Sequence, residues 1–195
     1  DIKKIGNTFY AKGQLNNAIL LYEKVSQNPA KAYHYKMDLM NLYLENGEIE
    51  KVLPIYYELY PYMSGIEKDI QSKMLVLIEK DPSYKEKIKT SLLKHSKKNK
   101  EFKDTYASLL AWLEQEDGNY DQALSGLIQQ DKKQTGTLSK NIFEIGNQAL
   151  ENRQYATARQ AFEYLYLSEN ENPFQHLAGE KLLKTYYLQL STTRP

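Results

Sequence analysis

The tripeptide Ile5-Gly6-Asn7 returns as Ile145-Gly146-Asn147, 140 residues later, or four spans of 35. A chain that echoes itself at such a period is assembled from copies of one small unit. From Gly6, steps of seven, twelve and sixteen residues reach Gly13, Ala18 and Tyr22. The same steps lead from Met40 to Gly47, Val52 and Tyr56, and from Ala111 to Gly118, Ala123 and Leu127. From Gly146 they lead to Arg153, Ala158 and Phe162.

This spacing predicts a helical hairpin. Apolar residues fall at helical steps on both sides of Gly13-Gln14, Gly47-Glu48 and Gly118-Asn119, and each of these pairs interrupts the pattern. Glycine suits the left-handed residue that ends a helix. So short a break makes the two helices antiparallel neighbours. A small residue at the crossing lets the backbones approach, and the aromatic sixteen residues on fills the space beside it. Pro29, Pro61 and Asn172-Pro173 follow the second helices, where proline cannot continue them.

These offsets resemble the tetratricopeptide repeat. The residues that carry the resemblance are Gly6, Phe9, Gly13, Ala18, Tyr22 and Pro29, then Tyr43, Gly47, Tyr56 and Pro61. Further along they are Ala111, Gly118, Tyr120 and Ala123, then Gly146, Tyr155, Ala158 and Phe162. The resemblance covers about residues 1–64 and 102–173 and implies an all-α fold. The expected fold is a single right-handed superhelical solenoid over 1–195, with about five helical hairpins and a final helix. The repeats are placed at 1–32, 33–65, 66–101, 102–137 and 138–173, with the last helix at 174–190. Residues 66–101 depart from the pattern: two helices at 66–79 and 83–96 are split by Asp81-Pro82, with no glycine at the turn. A third hairpin with altered packing is expected there. Residues 131–138 read as a long loop.

Composition excludes many chemistries. The 195 residues hold 26 Lys+Arg and 25 Asp+Glu, a net charge of +1, and no Cys. Disulfide scaffolds, thiolate zinc sites and cysteine nucleophiles are therefore out. No apolar run is long enough to span a membrane. His34, His95 and His176 have no second ligand at metal-binding spacing, and no phosphate-cradling or nucleophile-elbow motif occurs. No catalytic residue, cofactor or metal is expected. Residues 80–104 carry nine Lys against four acids, but few aromatics and no Arg, so a solvated helix face is favoured over nucleic-acid binding. In the tyrosine-rich helix at 49–62, Tyr56 and Leu59 fit the core offsets; Tyr57 and Tyr60 lie one step round, where packing against the next hairpin is favoured over an exposed interface.

In tetratricopeptide arrays the first helix of each hairpin lines the concave groove. The resemblance thus implies a protein-binding groove that includes Lys3, Asn7, Tyr10, His34, Asp38, Asn41, Lys73, Trp112, Phe143 and Asn147. Some members clamp a peptide's terminal carboxylate with Lys and Asn, and Lys3 and Asn7 look like the start of that clamp. Asp38 stands where an Asn is needed, and Asp69 with Lys73 where two cations are needed. Two acids would repel a carboxylate by roughly 1 kcal/mol or more each. Trp112, the single Trp, is either an anchor for a partner or buried between hairpins.

The expected function is a non-enzymatic protein–protein interaction scaffold that takes a protein or peptide segment in the groove. The alternatives are an assembly region of a larger multidomain protein, or a regulatory region attached to an enzyme outside these residues. No nucleic acid is expected as partner. Self-association is an option, because the final helix carries Leu177, Leu182, Leu183, Tyr186, Tyr187 and Leu190 and should be exposed. Lys outnumbers Arg 23 to 3, which suggests an AT-rich bacterial source. With no initiator Met, the sequence reads as part of a larger bacterial protein. A periplasmic or membrane-associated location is slightly favoured over the cytoplasm.

Overall fold

The computed structural model describes residues 1–195 except 28–31, 64, 99, 135–136, 170–171 and 193–195; of residues 32–34, 61 and 134 it describes the backbone alone. Among the described residues there are eleven α-helices and no strand. The all-α architecture of paired helices is thus the one the repeat predicts. The expected stop at Pro29 lies outside the described residues. The chain divides into two compact units, Asp1–His95 and Ser96–Pro195.

In the first unit, α1 (Ile2–Ala11) pairs with α2 (Leu15–Ser26), and α3 (Ala32–Glu45) packs on both α2 and α4 (Ile49–Leu59). A 3-10 turn (Tyr60–Tyr62) leads to α5 (Ile66–Lys80) and α6 (Ser83–Lys98). In the second unit, α7 (Lys103–Gln115) pairs with α8 (Tyr120–Gln134), and α9 (Ser139–Glu151) with α10 (Tyr155–Tyr166). The last helix, α11 (Gln175–Thr192), lies along α10.

One turn is built four times. Gly13, Gly47 and Gly118 have φ of 71°, 72° and 73°, and Arg153 takes the same place with φ 60°. At each, the following amide reaches back five residues: Gln14 to Phe9, Glu48 to Tyr43, Asn119 to Glu114 and Gln154 to Ala149, at 2.8–2.9 Å. The turn residue's own amide bonds to the carbonyl three residues back. This pair of bonds is the Schellman closure of a helix, and the next helix starts two residues later. Asp81 builds a different link: its carboxylate accepts from the Ser83 amide at 2.9 Å and the Ser83 hydroxyl at 2.8 Å. This link is not a left-handed turn, and both helices bury a face, α5 with Ile70, Met74 and Leu77 and α6 with Ile88, Ser91 and Leu92.

Crossing points follow the offsets. A Cβ on Gly6 would stand 2.6 Å from the Tyr22 hydroxyl, and one on Gly146 would stand 2.8 Å from Phe162 Cε1. Tyr22, Phe162, Ala18 and Ala158 are all buried. Each such side chain contributes roughly 1.5–3 kcal/mol on leaving water when it is large, and only close-packed neighbours secure it.

Tyr57 is buried, as the packing favoured for this helix requires, its ring edge-on to Tyr56 at 4.9 Å, while Tyr60 stays partly exposed. Two expectations need correction. Residues 131–134 are the last turn of α8 and not loop, because Asp131 has a structural task described below. Leu182 is not exposed on α11 but packs on the second unit's core.

Candidate interaction surface

The first helices of the first unit carry most of the residues singled out in the sequence. Lys3, Asn7 and Tyr10 are spaced four and three apart on α1, so they share one face. Asp38, Asn41 and Glu45 do the same on α3, as do Asp69 and Lys73 on α5. The fold brings these faces together. Lys3 Nζ lies 3.2 Å from Asp38 Oδ2. The Tyr10 hydroxyl donates to Glu45 Oε1 at 3.2 Å, although its ring stays 50% exposed. Lys73 Nζ donates to Asn41 Oδ1 at 2.8 Å and to Asp69 Oδ2 at 2.6 Å. Asn7 is exposed beside Lys3. His34 sits on α3, and its side chain is outside the described residues.

The charges on this face are thus used within the chain. Lys73 is held between a carboxylate and an amide, and Lys3 faces Asp38. A further carboxylate brought here would meet three acids, Asp38, Glu45 and Asp69, and cations already paired. Exposed pairs of this type contribute only about 0–1 kcal/mol each, so a neutral or mixed polar ligand can exchange with them at small cost. Glu45 is on this face although its residue type drew no attention in the sequence. Its place seven residues after Asp38 was the available signal.

In the second unit, Trp112 on α7 is half-buried. Phe143 on α9 is half-buried too, and its ring is engaged: it stacks on Phe174 at 5.0 Å and meets Phe162 edge-on at 5.7 Å. Asn147 donates from Nδ2 to the Phe143 carbonyl at 3.1 Å, while its buried Oδ1 has no hydrogen-bond partner among the described residues.

Elsewhere the polar chemistry is structural. Asp131 is buried; it accepts from the Leu138 amide at 2.8 Å and from the Tyr164 hydroxyl at 2.8 Å. It thereby ties α8 to the start of α9 and to α10. Burial, reinforced by the bond to Asp131, pushes the Tyr164 phenol up to about 12. In the basic stretch, Lys94 donates to Glu50 at 2.6 Å, and this bond holds the Glu50 carboxyl below its usual range. Among the described residues no group of three His, Asp or Glu is placed to hold a metal ion. Likewise no helix among them is long and apolar enough to cross a membrane.

The fold and this surface define an array of α-helical hairpins with polar first-helix faces. No family model matches the chain, and no curated protein matches it. Among solved structures it is similar to TTC0263, a thermophilic TPR protein of Thermus thermophilus. The two are 16% identical over 92% of this chain and 96% of that one, with a TM-score of 0.42.

Proposed function

We propose that this chain is a non-enzymatic protein–protein interaction module that takes a partner segment on its first-helix faces. One observation carries the reading: α1, α3 and α5 bring Asn7, Tyr10, Asp38, Asn41 and Lys73 onto a shared polar face with weak internal pairing. A half-exposed tyrosine among exchangeable polar groups suits a peptide, because the ring offers apolar area and its rim offers hydrogen bonds. The second unit has its own candidates, Trp112 and Asn147, with Phe143 as a supporting aromatic. Its ring is already packed, so Tyr10 and Trp112 are the better anchors. The preferred ligand is an extended or helical segment without a dominant anionic end.

Selection from a displayed random-peptide library tests this. Binders selected on the wild-type chain should lose at least tenfold in affinity on Tyr10→Ala or Asn7→Ala, and be unchanged by Lys24→Ala on α2. Selected binders indifferent to every first-helix substitution would refute the assignment.

A further inference from the structure

We propose that Asn46 is a site of spontaneous covalent modification, deamidation through a cyclic imide, and that the turn between α3 and α4 gates it. The inference is independent of the first-helix faces. Asn46-Gly47 is the single Asn-Gly pair of the sequence. In such a pair the glycine nitrogen can attack the asparagine side chain, because no side chain on the glycine obstructs the approach. A bond forms from Gly47 N to Asn46 Cγ as the Gly47 amide proton passes to a solvent base. The bond from Cγ to Nδ2 breaks, and the nitrogen takes up a proton and leaves as ammonia. Water then opens the ring at either carbonyl. One product is aspartate; the other is isoaspartate, in which the main chain runs through the former side chain. Water is the only co-reactant, and nothing is oxidised or reduced.

The fold both demands this pair and restrains it. Gly47 has a φ of 72°, and the Tyr84 hydroxyl fills the space where a Cβ would stand, so the turn requires glycine here. While the turn is closed, both reacting groups are engaged. The Gly47 amide donates to the Leu44 carbonyl at 3.0 Å, and the Glu48 amide closes the turn on the Tyr43 carbonyl at 2.8 Å. Asn46 Nδ2 donates to Glu48 Oε1 at 2.6 Å, and Lys51 holds the other oxygen of that carboxylate at 2.7 Å. Asn46 is exposed, so water and base reach it. What the closed turn withholds is freedom for the side chain to fold back over its own peptide bond. Opening the turn supplies that freedom, and reaction then makes the opening permanent. Isoaspartate adds a methylene to the main chain between α3 and α4, which carries the Glu48 amide away from Tyr43. Aspartate sets a second carboxylate against Glu48. Asn152 is an internal reference, because it precedes Arg153 in the fourth copy of the same turn, where the next residue's side chain obstructs attack.

Peptide mapping by mass spectrometry, on the 195-residue chain aged in mildly alkaline buffer, tests the proposal. In guanidinium chloride Asn46 should convert before every other asparagine and well ahead of Asn152. In the folded chain it should convert roughly tenfold or more slowly than in denaturant, since only molecules with the turn open react. Glu48→Ala should speed conversion in the folded chain severalfold with an unchanged circular dichroism spectrum. Glu48→Gln keeps an accepting oxygen and should speed it less. An Asn46 that reacts as fast folded as in denaturant, or as slowly in Glu48→Ala as in the wild type, would overturn the proposal. So would another asparagine that outruns it in guanidinium chloride.

Discussion

Arg153 occupies a backbone conformation that its three counterparts give to glycine, and this makes the turn's energetics measurable. Its φ of 60° matches Gly13, Gly47 and Gly118 within about 13°, and the hydrogen bonds of the four turns are the same. A residue with a Cβ pays roughly 1–2 kcal/mol to stand in the left-handed region. Replacing Arg153 by Gly removes that strain but gives back roughly 0.5–1 kcal/mol through the freer unfolded chain. It also discards a cation at a helix C-terminus, worth about 0.3–1 kcal/mol. The net change in Arg153→Gly alone is therefore small. Comparison with Arg153→Ala cancels the charge term, since both variants lose it. Arg153→Gly should then be the more stable of the two by about 1 kcal/mol, read from urea unfolding followed by helical circular dichroism. In the thermal midpoint that difference is about 2–8 °C, depending on how much of the chain unfolds together. The reciprocal Gly118→Ala should cost a similar amount, because no atom lies within 4 Å of the added Cβ and only backbone strain is introduced. Equal stability of the two Arg153 variants, or a tolerated Gly118→Ala, would refute the idea that φ alone dictates this position.

Gly146→Ala should destabilise the chain by roughly 1–3 kcal/mol in the same urea assay, because its Cβ would strike the fully buried Phe162 ring at 2.8 Å. Gly6→Ala meets the buried Tyr22 ring and hydroxyl at 2.6–2.7 Å and should cost a comparable amount. Asp131→Ala should cost roughly 1–3 kcal/mol by orphaning the Leu138 amide and the Tyr164 hydroxyl. Tyr164 holds its proton more tightly when folded than its ordinary value of 10.0 allows, so its contribution is full below pH 10 and is lost as pH climbs towards about 12. Stability of Tyr164→Phe against pH should accordingly fall less over that interval than the wild type's, and parallel curves would count against the assignment.

The legible part of the fold was the part set by local rules. Gly13, Gly47 and Gly118 announce their turns because positive φ is nearly a glycine property, and Arg153 was reached only by counting seven residues on from Gly146. The helix expected at 83–96 was visible from Asp81-Pro82, and it runs two residues further, to Lys98. Asp131 shows the limit more sharply. Amid Lys132, Lys133 and Gln134 it reads as solvated loop, and only the return of Leu138 and Tyr164 to one place makes a buried acid sensible there. On the first-helix faces, helical spacing was enough to group Lys3, Asn7 and Tyr10 on α1. The pairing of Lys73 with Asn41, 32 residues apart, needed the packing of α5 on α3.

That pairing also shapes what the face can select. A partner that offered a free carboxylate would have to draw Lys73 from Asp69 and Asn41 and leave Asp69 facing the newcomer. The like-charge term, roughly 1 kcal/mol or more near the surface, exceeds what the displaced exposed pair contributed. A backbone amide or a side-chain amide meets no such opposition at Asn7, Asn41 or Glu45, and an apolar residue can lie on Tyr10. If the proposed reading holds, discrimination against acidic ends follows from the same contacts that knit α1, α3 and α5 together. Asp38→Asn with Asp69→Asn should relax it: a peptide ending in a carboxylate should gain affinity over its amidated form in the double variant relative to the wild type, measured by fluorescence anisotropy. An unchanged preference would mean that these two acids do not face the bound segment.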